Sequence, residues 1–504
     1  MVEYWRHGVS RGYIASALAM TPVPDVGSVL CRAARARSRG VLDNGGVPDP
    51  VPSSASDVPA RGSARRARRT VDRDILRLAV PSLGALIAEP LFLMADSAFI
   101  ARVGTVSLAG LGLASAILTT VIGLSVFLAY STTASVARAF GAGRRREAIS
   151  RGVDACWLAL MIGAGAVVVL LIAGAWILAL FGPSPEVLTE AVTYLHLSAL
   201  GVPAMLTVQA ATGLIRGLQD ARLPLIVAAS GAVVNIPLNA VLIFGLDMGI
   251  AGSAVGTVIA QWGMALVLLA IVVRAARREQ VPLRPHLGQV ASAGRESLPM
   301  FVRTVSLRVV LLAGTLVATQ LGAVQLAAHQ IALTVFTLLS LALDALAIAG
   351  QALTGRFLGA ADAASVRAVT RRLMVWGIGG GVATGVGLLA ASYVIPGLFT
   401  PDVAVQENLR AALWVLMIAQ PVAGYVFVLD GVLMGAGDAP YLAKVGVINA
   451  LVTLPFAVVV YYSGWAGPWA LAALWVACTL IFLIARAVSL GVRVRGDGWM
   501  RLGE

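Results

Sequence analysis

Charged residues are scarce in this chain, because Asp, Glu, Lys and Arg together make up 12% of its 504 residues. Hydrophobic residues make up 59%, and the mean hydropathy is +0.87. Soluble globular domains carry about 25% charged residues, so this composition excludes an ordinary soluble domain. Aromatic residues account for 6%, and the apolar segments lack the alternating pattern of a transmembrane β-barrel. We therefore expect an all-α integral membrane protein.

Several motifs for catalysis and ligand binding are also missing. There is no G-x-x-x-x-G-K-[ST] phosphate loop and no large soluble region, which excludes ATP hydrolysis by this chain. There is no nucleophile elbow and no H-E-x-x-H pair, so we expect neither an enzyme, nor a cofactor, nor a metal centre. The three cysteines are odd in number and lack metal-ligand spacing, so they predict no disulfide framework.

Long uncharged apolar runs recur along the chain, for example Cys156–Phe181 and Met374–Phe399. Each is long enough to cross about 30 Å of hydrocarbon as a helix. We therefore predict twelve membrane helices. Their predicted ranges are 75–102, 105–138, 152–181, 188–216, 223–246, 250–275, 296–321, 323–356, 370–399, 405–434, 441–463 and 467–491.

The second half of the sequence repeats the first in one constant register without a gap. Chance similarity between apolar stretches would not hold one register over this length, so the pattern indicates a duplicated unit. Corresponding residues include Pro81 and Pro299, Arg138 and Arg356, Gly141 and Gly359, and Asp220 and Asp438. Most of these matches preserve backbone shape or charge at helix ends. The repeat predicts two pseudo-symmetric six-helix bundles around a central pathway, which is typical of transporters.

The repeat divides the chain into five regions. We predict a disordered basic tail over 1–72, an N-lobe over 73–276, a cytoplasmic linker over 277–292, a C-lobe over 293–494 and a C-terminal tail over 495–504. The first tail is rich in Arg, Ser, Pro and Gly and has no apolar run. Residues upstream of the true start codon and a targeting extension are the alternative interpretations of 1–72.

Arginine placement predicts the orientation. Loops after the even-numbered helices contain clusters of arginines, whereas loops on the opposite side contain only Arg102 and Arg410. The net charge of +13 is thus concentrated where cytoplasmic loops meet anionic lipid, which favours a membrane partner over nucleic acid. Both termini are expected in the cytoplasm, with the protein in the plasma membrane. Because six helices per half is an even number, the repeat is parallel rather than inverted.

Ionisable residues inside the predicted helices break the repeat, unlike the matched glycines and prolines. A charge near the middle of a membrane helix costs about 2.5–3.5 kcal/mol on insertion scales, so each needs a partner, water or a function. A static buried ion pair is the alternative for any one of them. These residues are Glu89, Asp96, Arg303, Arg308, Asp344 and Asp430.

Glu89 and Asp96 are seven residues apart, two helical turns, and so project from one face of the first helix. Pro90 lies between them and cannot donate a backbone hydrogen bond, which predicts a hinge beside the two acids. An incoming H⁺ or Na⁺ would discharge a carboxylate at this place. We predict Asp96 and Glu89 as the cation-coupling residues, with Asp96 as the possible Na⁺ site.

Polar residues are predicted to line the transport cavity and face the substrate, and they include four of the ionisable residues above: Arg303, Arg308, Asp344 and Asp430. Asn235 and Asn239 share one face of the fifth helix, and Gln209 and Gln261 lie on the fourth and sixth. In the eighth helix a polar stripe has a seven-residue spacing, and a satisfied core residue is the favoured interpretation for the adjacent histidine. The stripe consists of Gln330, Thr337, Asp344 and Gln351, and the histidine is His329. The central ionisable residues sum to −2, which favours cationic cargo.

The chain resembles the MATE (multidrug and toxic compound extrusion) family of the MOP type, in its DNA-damage-inducible F (DinF) branch. The resemblance covers about residues 73–490 and depends on several short segments taken together. They include Glu89-Pro90-Leu91, Ala95-Asp96-Ser97, Arg303-Thr304, Leu326-Ala327-Ala328-His329-Gln330, Leu343-Asp344-Ala345 and Gly355-Arg356-Phe357-Leu358-Gly359.

This resemblance implies two six-helix lobes around a V-shaped cavity. It also implies antiport, in which H⁺ or Na⁺ enters as organic cations or other amphipathic toxins leave, and it gives Asp96 the coupling role. The family often has Asn-x-x-x-Asp on the fifth helix, but here the motif reads Asn235-x-x-x-Asn239. The second carboxylate is absent, which shifts the coupling role toward Glu89 and Asp96 acting together. A monomer is expected, with small organic substrates and no ATP.

Three alternatives stay open. A major-facilitator exporter also has twelve helices, but its usual D-R-x-G-R-R-like element is replaced here by Arg138-Ala139-Phe140-Gly141. A flippase for lipid-linked precursors, from the same superfamily, would use a more cationic cavity, and Arg303 and Arg308 keep that interpretation open. A membrane scaffold without transport would tolerate loss of the buried charges.

Overall fold

The computed structural model describes residues 61–285 and 287–503, with side chains from residue 69 onward except those of Glu89 and Phe92. Within this part of the chain, eleven helices are long and apolar enough to cross a membrane, and a bent helix pair supplies a twelfth span. The described regular structure is entirely helical. Spans 1–12 are Arg61–Val103, Thr105–Gly141, Arg145–Ala179, Pro185–Ala199 with Val202–Gly217, Arg222–Gly245, Gly249–Arg278, Leu287–Leu321, Ala323–Gly359, Ala363–Ala391, Val403–Gly435, Ala439–Tyr462 and Gly467–Arg495.

The structure has helices at the predicted places, but several of the observed helices extend further than predicted on the side that holds the linker. Span 3 begins at Arg145 rather than 152, span 7 at Leu287 rather than 296, and span 9 at Ala363 rather than 370. Hydropathy marks only the part of a helix that lies in hydrocarbon. The backbone hydrogen bonds continue into the polar layer, where arginines and acids are tolerated.

Two predicted helices are interrupted. Span 4 bends by 46° between Ala199 and Val202, and Pro203 lies in the first turn of its second segment. Proline has no backbone N–H, so a new helix can begin there but the preceding one cannot continue through it. Span 9 ends at Ala391, and residues predicted to complete it form a separate short helix, Ile395–Phe399, which also contains a proline in its first turn.

The predicted boundary of the N-terminal tail, at residue 72, is wrong, as the start of the first helix shows. This helix begins at Arg61, so residues 61–72 are helical rather than part of a disordered tail. Asp72 accepts hydrogen bonds from Arg372 and, at 2.9 Å, from the Trp376 indole N–H of span 9. These contacts tie the start of the N-lobe to the C-lobe. The rest of the predicted tail, residues 1–60, lies outside the described residues.

The two other predicted connections are partly ordered. Spans 6 and 7 reach Arg278 and Leu287, so the stretch between the helices is shorter than the predicted linker 277–292. Beyond Arg495 the chain folds back onto the protein: Trp499 is 3% exposed, and the Gly503 N–H donates to the Leu358 carbonyl at 3.0 Å. The C-terminal residues therefore pack against the end of span 8.

The lobes touch most closely where spans 2 and 8 meet, at their linker-side ends. A Cβ on Gly141 would overlap the carbonyl oxygen of Arg356, and a Cβ on Gly359 would overlap that of Arg138. In the repeat, Gly141 corresponds to Gly359 and Arg356 corresponds to Arg138, so the two contacts are equivalent to each other. The contact is thus self-complementary, as at a twofold axis. Glycine is required here because the two backbones approach each other directly.

We expect Gly141→Ala and Gly359→Ala to push these two helix ends apart. Spin labels at Arg146 and Ala364, exposed positions that correspond in the repeat, would report the change in a chain without its three cysteines. A longer label-to-label distance in either variant is the expected result. Gly379→Ala is the control, since nothing lies within 4 Å of the Cβ it would add. Equal distances in all three variants would show that the crossing tolerates a methyl group.

Candidate functional site: a buried carboxylate beside an N-lobe cavity

Asp96 is the centre of a buried polar cluster inside the N-lobe. It is 2% exposed and accepts hydrogen bonds from the Tyr194 hydroxyl at 3.1 Å, the Asn239 amide at 3.0 Å and the Ser253 hydroxyl. All three donors are neutral. Among the described residues, no cationic side chain lies within 4.0 Å of Asp96. The charge of this carboxylate is therefore stabilised by dipoles alone.

Four different spans supply this cluster. Asp96 comes from span 1, Tyr194 from span 4 and Ser253 from span 6. Asn235 and Asn239 are one helical turn apart on span 5, and their amides bond each other at 3.1 and 3.2 Å. Asn235 thus fixes the orientation of Asn239, which donates to Asp96. Both asparagines are almost fully buried, so they support the carboxylate rather than line a cavity.

The other predicted coupling acid, Glu89, lies outside the residues whose side chains the structure describes. Pro90, the predicted hinge, lies inside the helix Arg61–Val103, which is continuous through it. The sharing of an ion between Glu89 and Asp96 and the hinge role of Pro90 stay predictions.

A cavity of about 250 Å³ lies beside the carboxylate cluster, bounded by spans 1, 2, 4, 5 and 6. Tyr194 belongs both to its lining and to the cluster, and so separates the cavity from Asp96. Gln209 and Gln261, both predicted to face a cavity, are also in the lining. Most of the remaining lining residues are apolar. This space suits an apolar or amphipathic molecule.

The C-lobe contains an ion cluster instead of an open carboxylate. Asp430 on span 10 pairs with Arg303 of span 7, whose Nε lies 3.2 Å from Oδ1. It also pairs with Arg486 of span 12, at 3.1 Å. All three are nearly fully buried. Arg303 and Asp430 were predicted to face the substrate, but the structure places them in contact with each other inside the lobe.

The charge count from the sequence was incomplete. Arg216 and Arg486 are each 8% exposed and were left out of that count; Arg216 lies in the last turn of span 4 and Arg486 lies within span 12. Asp154 is also 8% exposed, so adding these two bases and this acid to the predicted four acids and two bases gives five acids and four bases, a net of −1 rather than −2. Arg308 is exposed, and its guanidinium lies against Gly123 of span 2. The buried charge balance therefore favours cationic cargo less than the count from the sequence did.

Asp344 lies between the lobes. The Tyr130 hydroxyl of span 2 is 3.2 and 3.3 Å from its two carboxylate oxygens, and Arg216 and Arg303 are near enough to act on it electrostatically. Two turns further along span 8, Gln351 donates to the Tyr130 backbone carbonyl. These bonds hold spans 2 and 8 together in addition to the glycine crossing.

The rest of the polar stripe on span 8 does not form one surface. Gln330 and Thr337 are exposed, and the Thr337 hydroxyl donates to the carbonyl of Leu333 in its own helix. His329 is buried against the Trp475 ring, with Nε2 3.4 Å from the Thr315 hydroxyl. This agrees with a core histidine, but the histidine is only partly satisfied, because its Nδ1 has no hydrogen-bond partner in the described part of the chain.

Sequence reasoning missed five residues that these sites use. They are Tyr130, Tyr194, Arg216, Ser253 and Arg486. Each breaks the repeat, because its counterpart in the other half of the chain is apolar. Those counterparts are Ile348, Ala412, Met434, Leu471 and Leu268. The comparison that selected the buried acids would have found them if it had included hydroxyl groups and helix ends.

Twelve spans in two repeated six-span halves, with a neutral-lined carboxylate and a cavity inside one half, define a two-lobe membrane transporter. The MatE family profile matches residues 81–241 and again 299–459, two stretches that begin at corresponding prolines of the repeat. The chain therefore belongs to the MatE family of multidrug and toxic compound extrusion transporters.

Relatives of the chain include Protein DETOXIFICATION 43 of Arabidopsis thaliana, 29% identical over 84% of this chain and 91% of that protein. The DNA damage-inducible protein F of Escherichia coli is 34% identical over 40% of this chain and 44% of that protein. The second match agrees with the DinF-like resemblance.

Solved structures show the same fold. The Vibrio cholerae MATE transporter VcmN in its bent form superposes with a TM-score of 0.77 over 86% of this chain and 100% of that chain, at 20% identity. A MOP superfamily transporter from Pyrococcus furiosus gives 0.75 over 84% and 96%, also at 20% identity. The predicted two-bundle MATE/MOP-type fold is confirmed.

Proposed function

We propose that this chain is an ion-driven antiporter that exports amphipathic organic compounds, with Asp96 as the group that binds the incoming H⁺ or Na⁺. The observation that carries the proposal is the Asp96 site itself. A carboxylate buried among neutral donors has no permanent counter-ion, so an arriving cation is what discharges it.

The neighbours of Asp96 can adapt to either state. A hydroxyl can donate or accept, so Ser253 and Tyr194 can donate to the ionised carboxylate and accept from the protonated one. An amide and hydroxyl oxygens also offer Na⁺ the hard ligands that it takes. Discharging Asp96 weakens its bonds to Tyr194 and Asn239, which lie on spans 4 and 5. Tyr194 also lines the cavity, so a change in its hydrogen bond to Asp96 on ion binding would change the wall of the cavity where cargo binds.

Alternating access would proceed by rocking of the lobes about their interface. The Gly141–Gly359 crossing and the Tyr130–Asp344 bond close the linker side, and both must open for cargo to enter there. The arginine distribution supports placing this side, the linker and both termini in the cytoplasm, with the protein in the plasma membrane. The lipid-precursor flippase is less well supported, because Arg303 is paired with Asp430 inside the C-lobe.

The proposal is tested with purified protein in lipid vesicles, with pH and sodium gradients imposed separately. Two probes cover both charge types: ethidium, an amphipathic cation, and naphthalene-1-sulfonate, an amphipathic anion. We expect gradient-driven, uphill movement of at least one probe under at least one gradient, and none in empty vesicles. Equal probe movement with and without protein under both gradients would overturn the antiporter proposal.

A further inference from the structure

The N-lobe cavity contains one charged lining residue among those whose side chains the structure describes, and it is Arg216. The rest of the lining is mostly apolar, with contributions from Met205, Met264 and Leu268. Arg216 lies in the last turn of span 4, where its repeat counterpart is Met434. The symmetric scaffold therefore does not require a charge at this position.

The Arg216 side chain is buried without a hydrogen-bonding partner. It is 8% exposed, and its Nε has no hydrogen bond within the described part of the chain. Among the described residues, no carboxylate oxygen lies within 4.0 Å of an Arg216 guanidinium nitrogen, so Arg216 forms no ion pair there. Asp344 acts on it electrostatically across the lobe interface and Tyr130 does so from within the N-lobe, but neither forms a hydrogen bond with it. The N–H on Nε is fully enclosed, and leaving such a donor without an acceptor is costly unless a ligand completes the site.

Two more buried polar atoms without partners belong to the same lining. They are Gln209 Oε1 and the Thr257 hydroxyl. Gln209 also donates through its amide nitrogen to the Ile122 carbonyl at 3.2 Å, which fixes its position. Thr257 can donate to an anion. The Arg216 guanidinium and the Thr257 hydroxyl are thus donors on spans 4 and 6 that face one apolar space, as in a site built for a molecule with one polar end. Gln209 Oε1 is an acceptor, so it would bond an N–H or O–H of the cargo rather than an oxyanion.

We propose that this cavity binds an amphipathic organic anion, whose carboxylate or sulfonate group is held by Arg216 and whose apolar body packs against the lining. Arginine suits this role because its planar fork can bond two oxygens of one oxyanion at once. The inference deepens the proposed function by naming the substrate class of its cavity. It departs from the organic cations that the sequence favoured.

The first test uses two probes with the same ring and opposite charges: naphthalene-1-sulfonate and 1-naphthyltrimethylammonium. Binding to the full-length protein is measured by titration calorimetry in phosphatidylcholine nanodiscs. We expect the sulfonate to bind at least about tenfold more tightly, because only it can form charge-assisted bonds with Arg216. Equal affinities, or tighter binding of the ammonium probe, would overturn the inference without any variant.

Variants then locate the site. Arg216→Gln should weaken sulfonate binding by about 10- to 100-fold, the range for a hydrogen bond to a charged group. Arg216→Lys should retain part of it, because the charge stays but the fork is lost. Arg222→Gln removes an exposed arginine of the same lobe and should change nothing. If Arg216→Gln binds the sulfonate as well as the unmodified protein does, the anion site is elsewhere and the inference fails.

An anionic lipid headgroup presents similar chemistry. Repeating the titration in phosphatidylglycerol nanodiscs separates the two sources, and we expect an unchanged sulfonate affinity. Loss of probe binding there would indicate that the lipid headgroup occupies the cavity, which would contradict the proposal that the cavity binds an anionic cargo. The outcome is also separable from that of the proposed function. Ion-driven ethidium efflux without sulfonate binding would refute only the anion site, whereas sulfonate binding without ion-driven transport of either probe would refute the antiporter.

Discussion

Asp96→Asn is expected to reduce ion-driven efflux to the level of empty vesicles. The amide has nearly the shape of the carboxylate and can still bond to Ser253 and Tyr194, so the N-lobe should keep its fold. It cannot be discharged by an incoming cation, because it carries no charge. Position 96 would then stay neutral whether or not a cation is present, so the ion gradient could not drive transport through this site. Initial rates of probe movement in vesicles measure the effect.

The matched control is Asp247→Asn, the same chemical change at an exposed acid of the N-lobe. It should transport as the unmodified protein does. Binding of the transported probe to Asp96→Asn should also survive, since Asp96 is separated from the cavity by Tyr194. Efflux by Asp96→Asn at the unmodified rate would remove Asp96 from ion coupling. The same assay on a Glu89→Gln variant would then show whether Glu89 carries the ion.

Asp430→Asn is expected to destabilise the C-lobe strongly. Removing this charge leaves Arg303 and Arg486 buried together with no counter-ion. Removing one partner of a buried ion pair typically costs about 3–5 kcal/mol. Thermal unfolding of the purified protein, followed by the monodisperse fraction after heating, should show a clearly lower Tm.

Two comparisons make this prediction specific. Arg486→Met should cost much less, because Asp430 keeps its bond to Arg303 and the methionine packs in an apolar site. Asp438→Asn removes a partner of Arg493 near the helix end, where the arginine side chain is 33% exposed, and should cost about 1 kcal/mol or less. A Tm for Asp430→Asn no lower than that for Asp438→Asn would mean that water reaches the C-lobe cluster.

Asp96 and Asp430 show which properties of a buried acid the sequence predicts and which it does not. Both break the repeat and both lie within apolar runs, so they were predicted together as functional charges. In the structure Asp96 has only neutral neighbours, and Asp430 contacts two arginines. Nothing in the local sequence separates these cases. Arg303 is 127 residues from Asp430, and its side chain reaches that acid only because the folded C-lobe brings span 7 within side-chain reach of span 10.

The asparagines of span 5 illustrate a partial success. Their spacing of four residues correctly placed Asn235 and Asn239 on one face of a helix, since that follows from helix geometry alone. The direction of that face does not follow from spacing. The structure rotates it toward Asp96 and away from the cavity, where Gln209 and Gln261 are found instead.

The sequence by itself determined the number of spans, the duplication of the six-span unit and the two-lobe fold, because hydropathy and register are properties of the chain read in order. The tertiary structure alone decided which buried charges are neutralised and which stay open. That outcome depends on how each helix is rotated about its axis and on which other helix it meets. Arg216 is the clearest case: the sequence shows only an arginine at the end of the predicted fourth helix, and packing of the spans buries it in the lining of an apolar cavity.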